Sequence, residues 1–183
     1  MLEIVSKAVK HLGLVNRHRW MVFKLCAKAG IPYRGLVHDL SKYSITEFWE
    51  SVKYYNGSRS PIEFVKKDKG YSKAWLHHKG RNKHHAEYWY DNNAPESMPI
   101  IPYKYQVEML CDNLAAGITY NGKRWKNDTQ LNYWNKAKER LLLNEKNKAF
   151  MTEALTQVSI NGIDKTLKPK NLKRLYEKNC KRG

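Results

Sequence analysis

GLVHDLSKYSITE, residues 35–47, sets adjacent His38 and Asp39 among Leu36, Val37 and Leu40, with Lys42 close behind. A neutral imidazole and a carboxylate are ligands that one borderline divalent cation accepts together, and a following ammonium can meet a metal-held phosphate. The flanking apolar residues read as one face of a helix start. Ser44 and Glu47 match a capping box at the head of a further helix through Phe48, Trp49, Val52 and Tyr55 to Gly57.

Toward the N-terminus, Leu2, Val5, Val9 and Leu12 recur at helical spacing, predicting a short helix that stops near Gly13. Asn16 then caps a second helix that runs to Ala29 and closes at Gly30, with Pro32 just beyond. His18, Val22, Leu25 and Cys26 share its inner face. A histidine there is either a satisfied core residue or a ligand.

Toward the C-terminus, NGSRSPIEFVKKDKG (56–70) mixes turn residues with charge and reads as a loop with at most one helical turn. AWLHHKGRNKHHAEYWYDN then holds His77, His78, His84 and His85. Neighbours on a helix point about 100° apart, so one of each pair faces inward, and Gly80 with Asn82 breaks the segment between the pairs. Pro95, Pro99 and Pro102 make an extended connector. A helix from Tyr103 to Ala116 follows, ending at Gly117 and presenting Glu108 and Asp112 on one face. Amphipathic helices are expected near 130–143 and 146–158. No strand alternation, internal repeat or Gly-rich phosphate loop is present. The fold class is therefore all-α, a compact bundle of six to eight helices. The core domain covers residues 1–160, and 161–183 is a basic tail, a short helix at most.

The chain has 183 residues, enough for one core, and its 42% hydrophobic and 12% aromatic content fits a folded domain. The 34 basic against 17 acidic residues give a formal charge of +17, which implies an anionic substrate or partner. No window approaches the roughly 18 apolar residues that span a bilayer, and the N-terminus lacks a signal-peptide pattern, so no membrane association and a cytoplasmic location are expected. Cys26, Cys111 and Cys180 are far apart and form no CxxC pair, which excludes a disulfide framework.

His18, His38, Asp39, the later histidines and Asp112 together supply every ligand type that one or two such cations want. Two cations bridged by Asp39 can activate a water and clamp phosphate oxygens. In this order the residues resemble the HD-domain metal-dependent phosphohydrolase superfamily, LVHDLSK being similar to its HD motif with the following lysine. RHRWMVFK, HDLSKYSITEF, AWLHHKGRNKHH and YQVEMLCDNLAAG more closely resemble an uncharacterised family encoded by bacteria and their phages, over roughly residues 15–155. The resemblance implies an HD-like helical core with His18, His38, Asp39 and Asp112 as metal ligands, and His78, His84 and His85 as additional ligands. Asp39 and Lys42 would be catalytic, and His77 and Asn82 outer supports or substrate contacts. One or two divalent ions (Mn, Fe, Zn, Ni, Co or Mg) are the implied cofactors. The GYP triplet of the cyclic-dinucleotide branch is absent after His85, where AEYWYDN stands, so that substrate is not carried over.

The expected reaction is hydrolysis of a phosphomonoester, phosphodiester or nucleotide phosphoanhydride, with metal-bound hydroxide as nucleophile, on a nucleotide or nucleic-acid-derived substrate. Arg17, Arg19, Lys42, Lys79, Arg81 and Lys83 flank the ligands and would hold the anion. Trp75, Tyr88 and Trp89 would stack a base. Two other readings stand beside it: a non-catalytic basic nucleic-acid-binding module, and an HD-type di-iron oxygenase.

Overall fold

A computed structural model describes residues 2–57 and 59–181. Its helices in chain order are α1 (Leu2–Lys28), α2 (Pro32–Val37), α3 (Ile45–Lys53), α4 (Pro61–Lys69), α5 (Lys73–Lys79), α6 (Tyr103–Asn121), α7 (Thr129–Ala137), α8 (Glu145–Thr166) and α9 (Pro169–Tyr176). No strand occurs among the described residues. The all-α class is as expected, with nine α-helices among the described residues in place of six to eight. No helix among the described residues is long and apolar enough to cross a membrane.

The two expected N-terminal helices are one. α1 runs unbroken through Gly13, because a glycine within a helix costs only about 1 kcal/mol relative to alanine. His11, Val15, His18, Val22, Leu25 and Cys26 form a continuous buried stripe across it. Asn16 is therefore interior to the helix, where its Oδ1 accepts from Tyr43 Oη at 2.6 Å. α1 ends at Gly30, whose φ of +79° a side chain would strain. Pro32 then starts α2. α2 lies directly on α1 at Gly35, where an added Cβ would come within 2.8 Å of both Phe23 Cα and Cys26 Cβ.

α1, α6 and α8 form the centre of the bundle. Val22, Leu25 and Cys26 meet Val107, Leu110, Cys111 and Leu114 from α6 and Phe150, Met151, Ala154 and Leu155 from α8, all in one buried cluster. The proline-rich connector is bound to this core through polar groups: Asn147 Oδ1 accepts from Ile101 N at 2.9 Å, and Tyr176 Oη donates to Ile101 O at 2.8 Å.

Three further expectations change. The 56–70 loop contains the nine-residue α4, with Pro61 at its first turn, Glu63 near its positive end, lysines at its last turn and Gly70 left-handed beyond it. α6 continues past Gly117 to Asn121, and a side chain at 117 would collide with Gln130, so that glycine serves packing and not termination. The basic tail is joined to the core: Leu167, Leu172 and Leu175 are fully buried, and Tyr176 and Cys180 belong to the same cluster.

Candidate metal centre

His38 and Asp39 do not begin a helix. His38 is the residue at which α2 ends, with extended backbone (φ −54°, ψ 129°), and Asp39 follows at φ 53°, ψ 29°. Asp39 is the one non-glycine residue with positive φ among those described. Aspartate tolerates this left-handed region better than most residues. Consecutive helical side chains would diverge by about 100°; the reversal instead turns both groups toward one point, and both are buried. Arg19 braces the reversal, its Nε donating to His38 O at 2.7 Å and its Nη2 to Leu36 O at 2.9 Å, while Nη1 reaches Tyr43 Oη at 2.8 Å.

Helix α1 contributes His18, whose Nε2 lies 3.0 Å from Asp112 Oδ1 on α6. His38 Nε2 is 3.3 Å from Asp39 Oδ2 and 3.5 Å from Asp112 Oδ1. On the other side, His78 Nε2 of α5 and His84 Nε2 of the following turn each lie 3.4 Å from Asp39 Oδ1. The His85 ring centres 4.2 Å from that of His84 and 4.8 Å from that of His78. Two groups emerge, His18–His38–Asp39–Asp112 and Asp39–His78–His84–His85, each offering ligand atoms within 4.8 Å of one another. Asp39 belongs to both.

The chemistry of these atoms fits cations. His18 Nε2, His38 Nε2, Asp39 Oδ1, His84 Nε2 and His85 Nε2 are buried without a hydrogen-bond partner, a costly state for any one polar atom and more so for five that converge. Ligand atoms about 2.1 Å from a shared divalent ion stand roughly 3–3.5 Å apart, as do Asp39 with His38, His78 and His84, and Asp112 with His18 and His38. All seven residues expected as ligands are thus brought together.

An outer ring of acids orients the histidines. Glu108, fully buried on α6 one turn before Asp112, sets Oε1 3.1 Å from His38 Nδ1 and 3.3 Å from His84 Nδ1. Glu47 Oε2 lies 2.8 Å from His78 Nδ1, and its Oε1 2.6 Å from His77 Nδ1. A carboxylate at Nδ1 fixes the proton there and leaves Nε2 free for a cation. His38, His84 and Glu108 also satisfy the spacing of a ligand group, but both Nε2 atoms face Asp39, so Glu108 acts as the acceptor behind His38, while His84 Nδ1 makes no hydrogen bond to it. Glu47 plays only half of the expected capping box: Ser44 Oγ accepts from Glu47 N at 3.3 Å, while the Glu47 side chain turns to the histidines.

Burial disfavours every charge here, and the neighbours decide which survive. Burial is outweighed for Asp39 by His38, Lys42 and His78, and for Asp112 by His18 and His38, so both carboxyls sit well below the usual range. Glu108 is drawn down to about 2 against its burial by His38, His84 and Arg34. His38 is held well above its ordinary value because Asp39, Asp112 and Glu108 overcome its burial. Burial lowers His18 and His85. Ionised carboxylates and neutral imidazoles are the forms that bind metal, so a cation would have to displace the proton that Asp39, Asp112 and Glu108 favour on His38.

A cavity of about 330 Å³ opens onto the cluster, lined by His18, Asp39, His78, His85 and Asp112 with His11, Lys42, Trp75, Tyr120 and Tyr133. A wider cleft of about 700 Å³ shares Trp75, His85, Asp112, Tyr120 and Tyr133 and adds Arg59, Asn113 and Gln130. Lys42 Nζ is 2.7 Å from Asp39 Oδ2, and Asp39 and Asp112 raise its pKa despite burial.

Apart from Lys42, the expected anion-holding set is not brought there. Arg17, Arg19, Lys79, Arg81, Asn82, Lys83 and Trp89 line neither cavity. Arg19 is committed to the backbone reversal. Arg17 and Arg81 are exposed, and Lys79 is half-buried away from both cavities. Asn82 Nδ2 donates to Ser41 Oγ and His78 O, each at 2.8 Å, tying the turn to the His-Asp segment. Lys83 lies over the Tyr88 and Tyr105 rings, and Trp89 Nε1 donates to Lys83 O at 2.8 Å. Proximity in sequence to the ligands misled because a short helix and a turn send alternate side chains away from them. Only Trp75 and Lys42 of the expected contacts face the cavity. His11, Arg59, Tyr120 and Tyr133 went unrecognised, having no motif, and Glu47 was hidden behind its capping pattern.

Comparison with known families places this arrangement in context: a family of unknown function, DUF5662, matches residues 7–157. The chain belongs to the DUF5662 family. In this DUF5662 chain the match spans every residue of the cluster, from His18 to Asp112, together with Glu47 and Glu108. Searches of curated proteins and of solved structures give no match.

Proposed function

We propose that the chain is an HD-type metal-dependent phosphohydrolase, cleaving a phosphate ester or phosphoanhydride of a nucleotide or nucleic-acid-derived substrate. The observation that carries this reading is Asp39, one buried carboxylate whose two oxygens face two separate sets of ligand atoms at a cavity wall. Divalent ions held by those sets would supply positive charge for phosphate oxygens and acidify water. In the overall reaction water oxygen bonds to phosphorus, the P–O bond to the leaving group breaks, and the leaving oxygen takes a proton.

The residues of the chain itself bind and orient. Lys42, charged and on the cavity wall, would meet a phosphate oxygen or the leaving oxygen. Trp75, with Tyr120 and Tyr133, offers ring faces for a base. Lys42 and Arg59 are the lysine and arginine residues among the linings of the two cavities. With so few side-chain cations at hand, the divalent ions would supply most of the positive charge that meets the substrate's phosphate. The remaining cations give the exterior a field that gathers anions.

A non-catalytic nucleic-acid module would have no use for five converging orphaned ligand atoms, and this favours the enzyme reading. A di-iron oxygenase would use the same ligands, so experiment must separate the two. Metal content of the purified chain, then turnover of p-nitrophenyl phosphate, bis(p-nitrophenyl) phosphate and nucleotides with each of Mn, Fe, Zn, Ni, Co and Mg, tests the proposal. We expect bound metal and ester cleavage, both abolished by His38→Ala with Asp39→Ala. Metal-replete protein without metal, or loaded protein inert toward every ester, would sink it; oxygen uptake by an iron form would select the oxygenase.

A further inference from the structure

The wide cleft beside the metal centre has, in its wall, one deeply buried amide that is only half used. Asp112, Asn113, Ala116, Gly117 and Tyr120 line the cleft from one face of α6, and Gln130, Tyr133 and Trp134 line it from α7. Gln130 is only 5% exposed. Its Nε2 donates to Asn113 O at 2.7 Å and to Asn113 Oδ1 at 3.0 Å. A backbone carbonyl only accepts, so the first contact fixes which end of the Gln130 amide is nitrogen. Both Nε2 protons are thereby used, and Gln130 Oε1 has no hydrogen-bond partner among the described residues. The same bonding makes Oδ1 the acceptor of Asn113 and leaves its Nδ2 protons without a partner there.

Gly117 belongs to this arrangement. The Gln130 amide lies in the space that a side chain at 117 would take, since an added Cβ would come within 1.9 Å of Oε1 and 2.2 Å of Cδ. Glycine inside a helix is less stable than alanine, so α6 gives up stability to seat this one side chain. A latch between α6 and α7 would need only the two Nε2 bonds. It has no use for an unpaired acceptor in a buried side chain, which is destabilising until something donates to it.

We infer that these two amides recognise the base of a nucleotide substrate. All four bases carry N–H donors and ring-nitrogen or carbonyl acceptors on their edges, so Gln130 Oε1 accepts from the base and Asn113 Nδ2 donates to it. Tyr133 and Trp134 set rings in the same wall, flat partners for a flat ligand. Position agrees with this. Gly117, over which Oε1 sits, is five residues beyond Asp112, roughly 7.5 Å along α6, a reach spanned by the ribose between a phosphate and its base. The cleft of about 700 Å³ is of small-ligand size and takes one nucleotide. The inference rests on the hydrolase reading for the place of the phosphate, whereas recognition of the base needs no turnover.

Titration calorimetry of the purified chain with AMP, GMP, CMP, UMP and ribose 5-phosphate, beside hydrolysis of the same five compounds by the metal-loaded chain, tests it. At least one nucleotide should bind about 10- to 100-fold more tightly than ribose 5-phosphate, with unequal affinities among the four bases. Gln130→Met removes the acceptor at nearly constant size. Gly117→Ala keeps the glutamine, favours the helix and displaces the amide. Each variant should bring the ratio of nucleotide to ribose 5-phosphate affinity close to one at the metal content of the parent. Equal binding of nucleotides and ribose 5-phosphate by the parent would overturn the inference, whatever esters the chain cleaves. A base preference that survives in both variants, with only the melting temperature lowered, would reduce Gln130 to a latch and overturn it as well. Base-dependent binding that both variants abolish, in a chain that cleaves no ester, would uphold the base site and reject the hydrolase.

Discussion

Arg34 Nε donates to Glu108 Oε2 at 2.7 Å, beneath His38, which Glu108 orients, and beside His84, while its guanidinium lies over the Tyr105 ring. This one contact supports both halves of the cluster, since the other Glu108 oxygen faces both His38 and His84. Glu108→Gln and Arg34→Met should therefore weaken metal retention about 10- to 100-fold while the helical signal persists. Competition with a graded series of chelators measures it; unchanged retention in both variants would remove Glu108 from the role assigned to it.

Occupancy should divide along Asp39. Asp39→Asn is expected to lose all bound metal, whereas His18→Ala and His85→Ala should each lose one ion and keep the other. The metal-to-protein ratio after gel filtration separates these outcomes, and equal loss in all three would mean that the two ligand groups do not act as separable sites.

Lys42→Met should keep the metal and lower turnover of a phosphate ester by at least about tenfold, because it removes a charge-assisted contact to the substrate phosphate. A fall in kcat/KM without a fall in metal content is the expected signature. Loss of metal in this variant would make Lys42 a structural counter-ion of Asp39.

His11 sits between the Phe48 and Tyr55 rings, each centred 5.5 Å away, and burial with Lys42 nearby lowers its pKa to about 4. Its folded pKa is below that of the unfolded chain, so the unfolded state binds more protons between about pH 6.5 and 4 and stability falls as pH drops through that window. With allowance for partial solvent screening, His11→Phe should recover about 2 kcal/mol of the difference between pH 7 and pH 4.5. Urea melts of parent and variant at the two pH values test this, and parallel losses would contradict it.

Gly35→Ala should be disruptive for a reason unrelated to glycine's flexibility, since its backbone φ is negative. The added methyl would press on Phe23 and Cys26, costing about 1–3 kcal/mol as overpacking, and would push α2 and His38 off α1. A lower melting temperature together with weaker metal retention is expected; a drop in melting temperature alone would mean that His38 keeps its place.

What the sequence disclosed was periodic or adjacent. Helical spacing carried the all-α class, and the His-Asp pair with the later histidines pointed to the cluster the fold brings together. What it hid depended on tertiary contact. Gly13 and Gly117 looked like helix ends, yet one is tolerated inside a helix stabilised by its buried stripe and the other admits Gln130. The signals for α4 were present in Pro61, Glu63 and Gly70, but its single buried valine, Val65, left little apolar periodicity to detect. The cations beside the ligands pointed elsewhere because direction around a helix, and not distance along the chain, decides what reaches a cavity. Glu47 and Glu108 become legible once each ligand histidine is asked what accepts its second ring proton.

The ligands are drawn from residues 18 to 112, so no short segment holds even one complete group. In the denatured chain these atoms are strangers, so under the proposed reading the affinity of the cluster for cations would belong wholly to the folded state. Bound ions would then act as rivets, joining α1, the backbone reversal, α5 and α6 across loops whose closure entropy the polypeptide otherwise bears alone. Chelation should loosen those four segments together, while α7, α8 and α9, which contribute no ligand, hold their shape longest.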